Sequence, residues 1–165
     1  MATTKFIDTP VHTVGELPAV GSMAPDFSLV APDLTEVRLH DYAGKRVVLN
    51  IFPSLDTPVC AASVRKFNVE ASRLPDTEVI CVSNDLPFAD ARFCTVNNID
   101  HVKALSAFRS SFGKDYGVTI TDGPLAGLLA RALVVIDKDG RILATSLNAQ
   151  IAEEPDYELV FKTLK

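Results

Sequence analysis

The chain has 165 residues, 47% of them apolar and 22% charged, with a formal net charge of −5. That balance, with no basic run to neutralise phosphates, excludes a nucleic-acid or anionic-membrane partner. No apolar stretch approaches the ~18 residues that a membrane span needs.

Residues 1–165 are expected to form one domain, with 1–15 as an N-terminal hairpin extension. The opening Met1-Ala2-Thr3-Thr4-Lys5 lacks the basic and apolar regions of a secretory signal, so a cytoplasmic location is expected. Thr4–Val14 reads as two β-rich pieces around Asp8-Thr9-Pro10. Short strands are predicted at Phe27–Val30 and Glu36–Leu39, bridged by Ala31-Pro32-Asp33. The run Val47-Val48-Leu49-Asn50-Ile51-Phe52 has the near-continuous apolar character of a strand covered on both faces.

Pro53 stops that strand and a helix follows. Thr57 stands at its N-cap and Pro58 at its first position, where a missing N–H costs nothing. Cys60, Val64, Phe67, Ala71 and Leu74 recur at helical offsets as one apolar stripe, and Pro75-Asp76 ends it. Glu78–Ser83 returns as a buried strand, completing a βαβ unit with two parallel strands. Asn84-Asp85 is read as the cap of a second helix, Pro87 to about Val96. A strand near Val102–Ala107 and a loop-rich stretch over Ser110–Ala130 come next. Arg131–Ile136 and Arg141–Thr145 flank Asp137-Lys138-Asp139-Gly140, the clearest hairpin signal in the chain. A helix from Pro155 to Leu164 closes the order. The predicted class is α/β: a thioredoxin-like fold whose central mixed sheet is flanked by helices.

Three cysteines, Cys60, Cys81 and Cys94, are too few for a disulfide framework and odd in number. There is no Cys-x-x-Cys, and His12, His40 and His101 lack ligand spacing, so neither a metal nor another cofactor is expected. In a reducing cytosol a disulfide between two of these thiols would be transient and functional. Cys60 falls in the first turn of the helix after the central strand, at the carboxyl end of the sheet, where α/β folds place ligands. Free N–H groups and partial positive charge at a helix start favour a thiolate there. An ordinary thiol is only roughly 3% ionised at pH 7. Making a thiol mostly thiolate takes ~3.4 kcal/mol, and one helix terminus supplies ~2 kcal/mol at best. A cationic partner is therefore required. Read alone, Cys60 is equally a small core residue on an apolar stripe.

The surrounding string breaks that tie. Pro53-Ser54-Leu55-Asp56-Thr57-Pro58-Val59-Cys60 contains the Pro-x-x-x-Thr-x-x-Cys pattern of the peroxiredoxin active site. Its continuation through Ala61-Ala62-Ser63-Val64-Arg65-Lys66-Phe67-Asn68 resembles the bacterial thiol peroxidases, an atypical 2-Cys branch of that superfamily. Asp85-Leu86-Pro87-Phe88-Ala89, Arg92-Phe93-Cys94, Asp122-Gly123-Pro124-Leu125 and Ala130–Asp137 extend the similarity over essentially the whole chain.

The resemblance implies a thiol-dependent peroxidase acting on hydrogen peroxide and organic hydroperoxides. Cys60 would be the peroxidatic nucleophile, Cys94 the resolving cysteine of an intrachain disulfide, and thioredoxin the reductant. Thr57 would direct its hydroxyl at the thiolate and the peroxide, a role that competes with simple helix capping. Pro53 would wall the pocket, and Arg131, at the mouth of a buried strand, would supply the cation. Arg65 is read as a solvated helix charge and Cys81 as a core residue. A homodimer whose interface borders the active-site loops is also implied. Two other functions compatible with reactive thiols are a disulfide exchanger, disfavoured by the missing Cys-x-x-Cys, and a redox sensor.

Overall fold

A computed structural model of the chain describes residues 1–164. Strands β1 (Thr3–Phe6) and β2 (Thr9–His12) form a separate antiparallel hairpin. The main sheet is built from β3 (Ser28–Val30), β4 (Glu36–Arg38), β5 (Arg46–Ile51), β6 (Thr77–Ser83), β7 (Lys103–Ser106), β8 (Ala132–Ile136) and β9 (Ile142–Leu147). Their spatial order is β4-β3-β7-β6-β5-β8-β9. β5, β6 and β7 run parallel, while β8 pairs antiparallel with β5 and β9 antiparallel with β8, which makes the sheet mixed. The helices are α1 (Pro58–Ala71), α2 (Pro87–Val96), the short α3 (Phe112–Asp115) and α4 (Tyr157–Thr163).

Period-two alternation divides the apolar run of β5 between two cores. Val48 joins Val64 and Phe67 of α1, Val79, Cys81, Val135 and Val160 of α4 on one face. Val47, Leu49 and Ile51 join Phe27, Phe112 and Tyr116 on the other. Both faces are therefore covered, which is why the strand reads as nearly unbroken apolar sequence. The β1–β2 hairpin is fastened beyond β9: Lys5 N–H donates to Ala149 O (3.1 Å), and Ile151 N–H donates to Lys5 O (2.8 Å). This places Phe6 over the carboxyl end of the central strands, where it lines a pocket.

Four details differ from the sequence expectation. α1 stops at Ala71, and a turn through Asp76 (φ 52°) leads into β6 while Leu74 still packs on the core. α4 starts at Tyr157, because the Asp156 side chain caps it by accepting from Leu159 N–H (3.3 Å). α3 lies inside the segment expected to be loop. Asn84-Asp85 does not cap α2; its N-cap is Leu86, with no side-chain bond, and Asp85 is used elsewhere. Among the described residues no helix is long and apolar enough to cross a membrane.

Candidate active site

The loop after β5 and the start of α1 set the site. Pro53 is buried directly beyond the strand, and α1 opens with Pro58 so that Cys60 is its third residue. The first intrahelical bond runs from Ala61 N–H to Thr57 O (3.0 Å), so the preceding amides of Val59 and Cys60 have no i−4 acceptor in the helix. The loop is tied down by the Asp85 carboxylate. It accepts from the Ser54 hydroxyl (2.7 Å) and the Leu55 amide (2.7 Å), and also from the Ser83 hydroxyl (2.7 Å) at the end of β6. A residue expected to be a helix cap is thus the clamp between two adjacent strand ends.

Cys60 is 0% exposed and Arg131 is 1% exposed. Although 71 positions apart in sequence, they meet: Arg131 Nη2 donates to Cys60 Sγ at 3.0 Å. Arg131 immediately precedes β8, with its carbonyl held by Asn148 N–H (3.0 Å) and its Nε donating to Ile151 O (2.7 Å). Its Nη1 is buried without an acceptor. A buried guanidinium fixed at one side and short of one partner is a donor waiting for an anion or an oxygen.

Cys60 and Arg131 share a pocket of about 270 Å³ with Pro53 and Thr57, its walls completed by Phe6, Leu125, Leu128 and Ile151. The lining is almost wholly apolar apart from Cys60, Thr57 and Arg131. Thr57 stands at the N-cap, but its hydroxyl donates to Ser54 O (2.9 Å) instead of capping the helix. With the hydroxyl hydrogen committed, the oxygen faces its surroundings as an acceptor. Arg65 is exposed on α1, as expected of a solvated charge. Among the described residues no group of three or more potential metal ligands converges.

Cys94 does not line this pocket. It lies half-buried on α2 beside a shallow cleft formed by Thr95, Asn98, Ile99 and Asp100. Burial pushes its thiol up, and the nearby Asp90 adds to the shift. Cys60, Cys81 and Cys94 are all free thiols. Cys81 sits within β6, where burial pushes it up to about 12 despite a bond from Asn50 Nδ2 (3.7 Å). Such a thiol is almost entirely protonated at neutral pH and is a poor nucleophile.

Asn50 was not singled out from the sequence, yet it anchors the site from below. Its Nδ2 also donates to Ser63 Oγ (3.2 Å), and Ser63 Oγ donates to Cys60 O (2.7 Å). This polar thread fixes the first turn of α1 to the central strand. The available signal was a lone asparagine inside an apolar run, a position that demands a buried partner.

The arrangement presents a sulfur nucleophile, a cation in contact with it, an acceptor oxygen and dry walls: the parts needed to cleave a weak bond by thiolate attack. The comparisons with known proteins agree with that chemistry. A family model described as Redoxin matches residues 19–160. The thiol peroxidase of Mycobacterium tuberculosis is 56% identical over 154 residues, covering 93% of each chain. The thiol peroxidase of Corynebacterium glutamicum is 49% identical over 164 residues, covering 99% of each. The crystal structure of a peroxiredoxin-like protein from Aquifex aeolicus superposes with a TM-score of 0.92 at 40% identity, over 99% of this chain and 96% of the other.

Proposed function

Since the chain belongs to the Redoxin family and is a thiol peroxidase of the peroxiredoxin type, we propose that it reduces hydrogen peroxide and organic hydroperoxides through Cys60 and Cys94. The Cys60 thiolate attacks one oxygen of ROOH, the O–O bond breaks, and Cys60 becomes a sulfenic acid. The other oxygen leaves as RO⁻ and takes a proton to become the alcohol, or water when R is hydrogen. Cys94, as thiolate, then attacks the sulfenic sulfur, expels hydroxide and closes the intrachain disulfide. A dithiol protein, thioredoxin in this proposal, reduces that disulfide and returns both thiols. The balance is ROOH plus two thiols giving ROH, water and a disulfide.

The observation that carries the proposal is the 3.0 Å contact between the Arg131 guanidinium and the Cys60 sulfur at the floor of the pocket. Nη2 stabilises the thiolate, and the unpaired Nη1 is free to donate to the peroxide oxygen that gathers charge. The Thr57 oxygen accepts the hydrogen of the incoming hydroperoxide. Pro53 and the apolar walls exclude water and leave room for an alkyl group. We place this cycle in a reducing cytosol, where thiols are kept reduced and a disulfide is transient.

Peptide mapping by mass spectrometry after one equivalent of peroxide tests the cycle. The expected product is a Cys60–Cys94 bridge with Cys81 free. Cys94→Ser should consume the first equivalent at the native rate and then fail to recycle, and further peroxide should overoxidise its Cys60. A bridge through Cys81, or sustained turnover of Cys94→Ser with thioredoxin, overturns it.

The active form is proposed to be a homodimer. Leu86 (51% exposed) and Phe88 (67%) open α2 beside the Asp85 clamp. Phe108 (45% exposed) follows two residues after Ser106, whose hydroxyl donates to Asp85 O. A second copy covering this apolar patch fits the interface expected from the family. Sedimentation at micromolar concentration should give twice the chain mass, reduced to a monomer by Phe88→Asp. A native monomer at that concentration rules the dimer out.

A further inference from the structure

Among the described residues, the cycle just proposed leaves one buried carboxyl group without a task. Asp90 is 1% exposed, and its Oδ2 has no hydrogen-bond partner among the described residues. It lies one turn before Cys94 on α2, so the two share a helix face. We propose that Asp90 is a positioning residue for disulfide formation: its unpartnered carboxylate loosens α2 when ionised and thereby governs how readily Cys94 leaves the helix to reach Cys60. This rests on the Cys60–Cys94 cycle above.

The build of α2 supports the idea. Of its ten residues only Pro87 and Asp90 are buried, with Phe93 partly buried against the core, so its apolar anchorage is thin. Its N-cap, Leu86, provides no side-chain bond, and Pro87 has no N–H to donate. A helix of this length is not stable by itself and depends on its packing. Here the buried position between Pro87 and Phe93 is occupied by a carboxyl group rather than a hydrocarbon.

Nothing nearby compensates a charge at Asp90. Asp85, in the loop before α2, adds a second negative charge, while Cys94 on the same helix and Cys81 on β6 are the other titratable groups that bear on it. Lys103 of β7 is exposed at the end of that strand away from Asp85, and Arg65 and Lys66 of α1 are exposed on the outer surface. Among the described residues no cation pairs with Asp90. Burial first, then Asp85, pushes its carboxyl up to about 8.

The sign of the linkage follows. Packed α2 holds the Asp90 proton until about pH 8, whereas in an unwound segment an ordinary carboxyl gives its proton up near pH ~3.9. The packed helix therefore has its full stability below the unfolded value and loses it progressively as pH rises to the folded one. Across that window each unwinding event releases one proton, so the unwound fraction rises about tenfold per pH unit. Once unwound, Cys94 regains an ordinary thiol, and its thiolate fraction supplies another factor of about ten per unit below pH ~8.5.

The test is the rate of sulfenic acid to disulfide conversion, read by rapid quench, alkylation and mass spectrometry between pH 5.5 and 7.5. The native chain should show a log rate against pH with a slope near 2, and Asp90→Asn a slope near 1. At pH 7.5 the variant should be slower by at least about tenfold. Asp90→Leu, which fills the site with nothing to titrate, should also give a slope near 1. Consumption of the first peroxide equivalent should be equal in all three proteins and reports that each is folded. A purely structural effect would change the rates and leave the slopes alike. Equal slopes in the native chain and both variants overturn Asp90's part while the cycle stands. Absence of the Cys60–Cys94 disulfide at every pH overturns both.

Discussion

Cys60→Ser is expected to lose peroxide turnover by about 10⁴–10⁶-fold, the scale seen when a covalent nucleophile is removed, while remaining folded by circular dichroism. Residue 60 is wholly enclosed, packed with Val64, Phe67 and Leu133 and bonded by Arg131. A serine oxygen fits that space and still accepts from the guanidinium, so the shape of the site survives. What disappears is a sulfur that ionises and can hold oxygen as a sulfenic acid. The two remaining thiols cannot take over. Cys81 at about 12 leaves about one part in 10⁵ as thiolate at pH 7, and Cys94 is pushed up by burial and by Asp90. One equivalent of peroxide should leave both unbridged on the timescale of native turnover. A Cys81–Cys94 disulfide formed at the native rate in this variant would move the chemistry to that pair and remove Cys60 from its centre.

How much of this was visible beforehand depends on how local the signal was. β5 and β6 announce themselves as nearly continuous apolar runs covered on both faces, and α1 by the period of about 3.6 in its Cys60–Leu74 stripe. The β8–β9 hairpin is written in its Asp137–Gly140 turn. The meeting of Cys60 with Arg131 has no local signature at all. It depends on β8 pairing antiparallel with β5, with Ala132 opposite Ile51, which delivers the residue before Ala132 to the pocket at the start of α1. Only the resemblance to a family pointed to it. An acidic residue before a helix reads as a cap, whereas Asp85 binds the hydroxyls of Ser54 and Ser83, which lie near the ends of other elements. Asp90 escaped notice since burial of a carboxyl contradicts the pattern that sequence reading relies on. The segment holding α3 was dominated by glycines, and a single turn of helix carries too little periodicity to show.

Arg131→Met should lower the second-order rate constant for peroxide by about 10²–10³-fold and leave stability within a few degrees of the native midpoint. The two expectations come from opposite sides of the same burial. In the reduced protein the guanidinium is nearly sealed from water with one nitrogen unpaired, a costly arrangement that an uncharged methionine, which reaches as far as Nε, relieves. The donor lost to Ile151 O costs ~1–3 kcal/mol and works against that gain. For the reaction the balance is one-sided, because the anionic sulfur and the charge growing on the departing oxygen both lose their cation, worth ~3–5 kcal/mol in a buried pair. Alkylation by iodoacetamide at pH 7 separates the two contributions, since it needs the thiolate but no peroxide. A fall in alkylation equal to the fall in peroxide rate assigns Arg131 to the sulfur alone, and a larger fall with peroxide assigns Nη1 to the leaving oxygen. Arg131→Lys should recover only part of the rate. A lysine places one charge, whereas the native fork donates to Ile151 O and to Cys60 Sγ at once, 2.7 Å and 3.0 Å away. An Arg131→Met protein that reacts with peroxide and iodoacetamide at native rates would show that the helix start by itself holds the thiolate, and the guanidinium would lose its place in the chemistry.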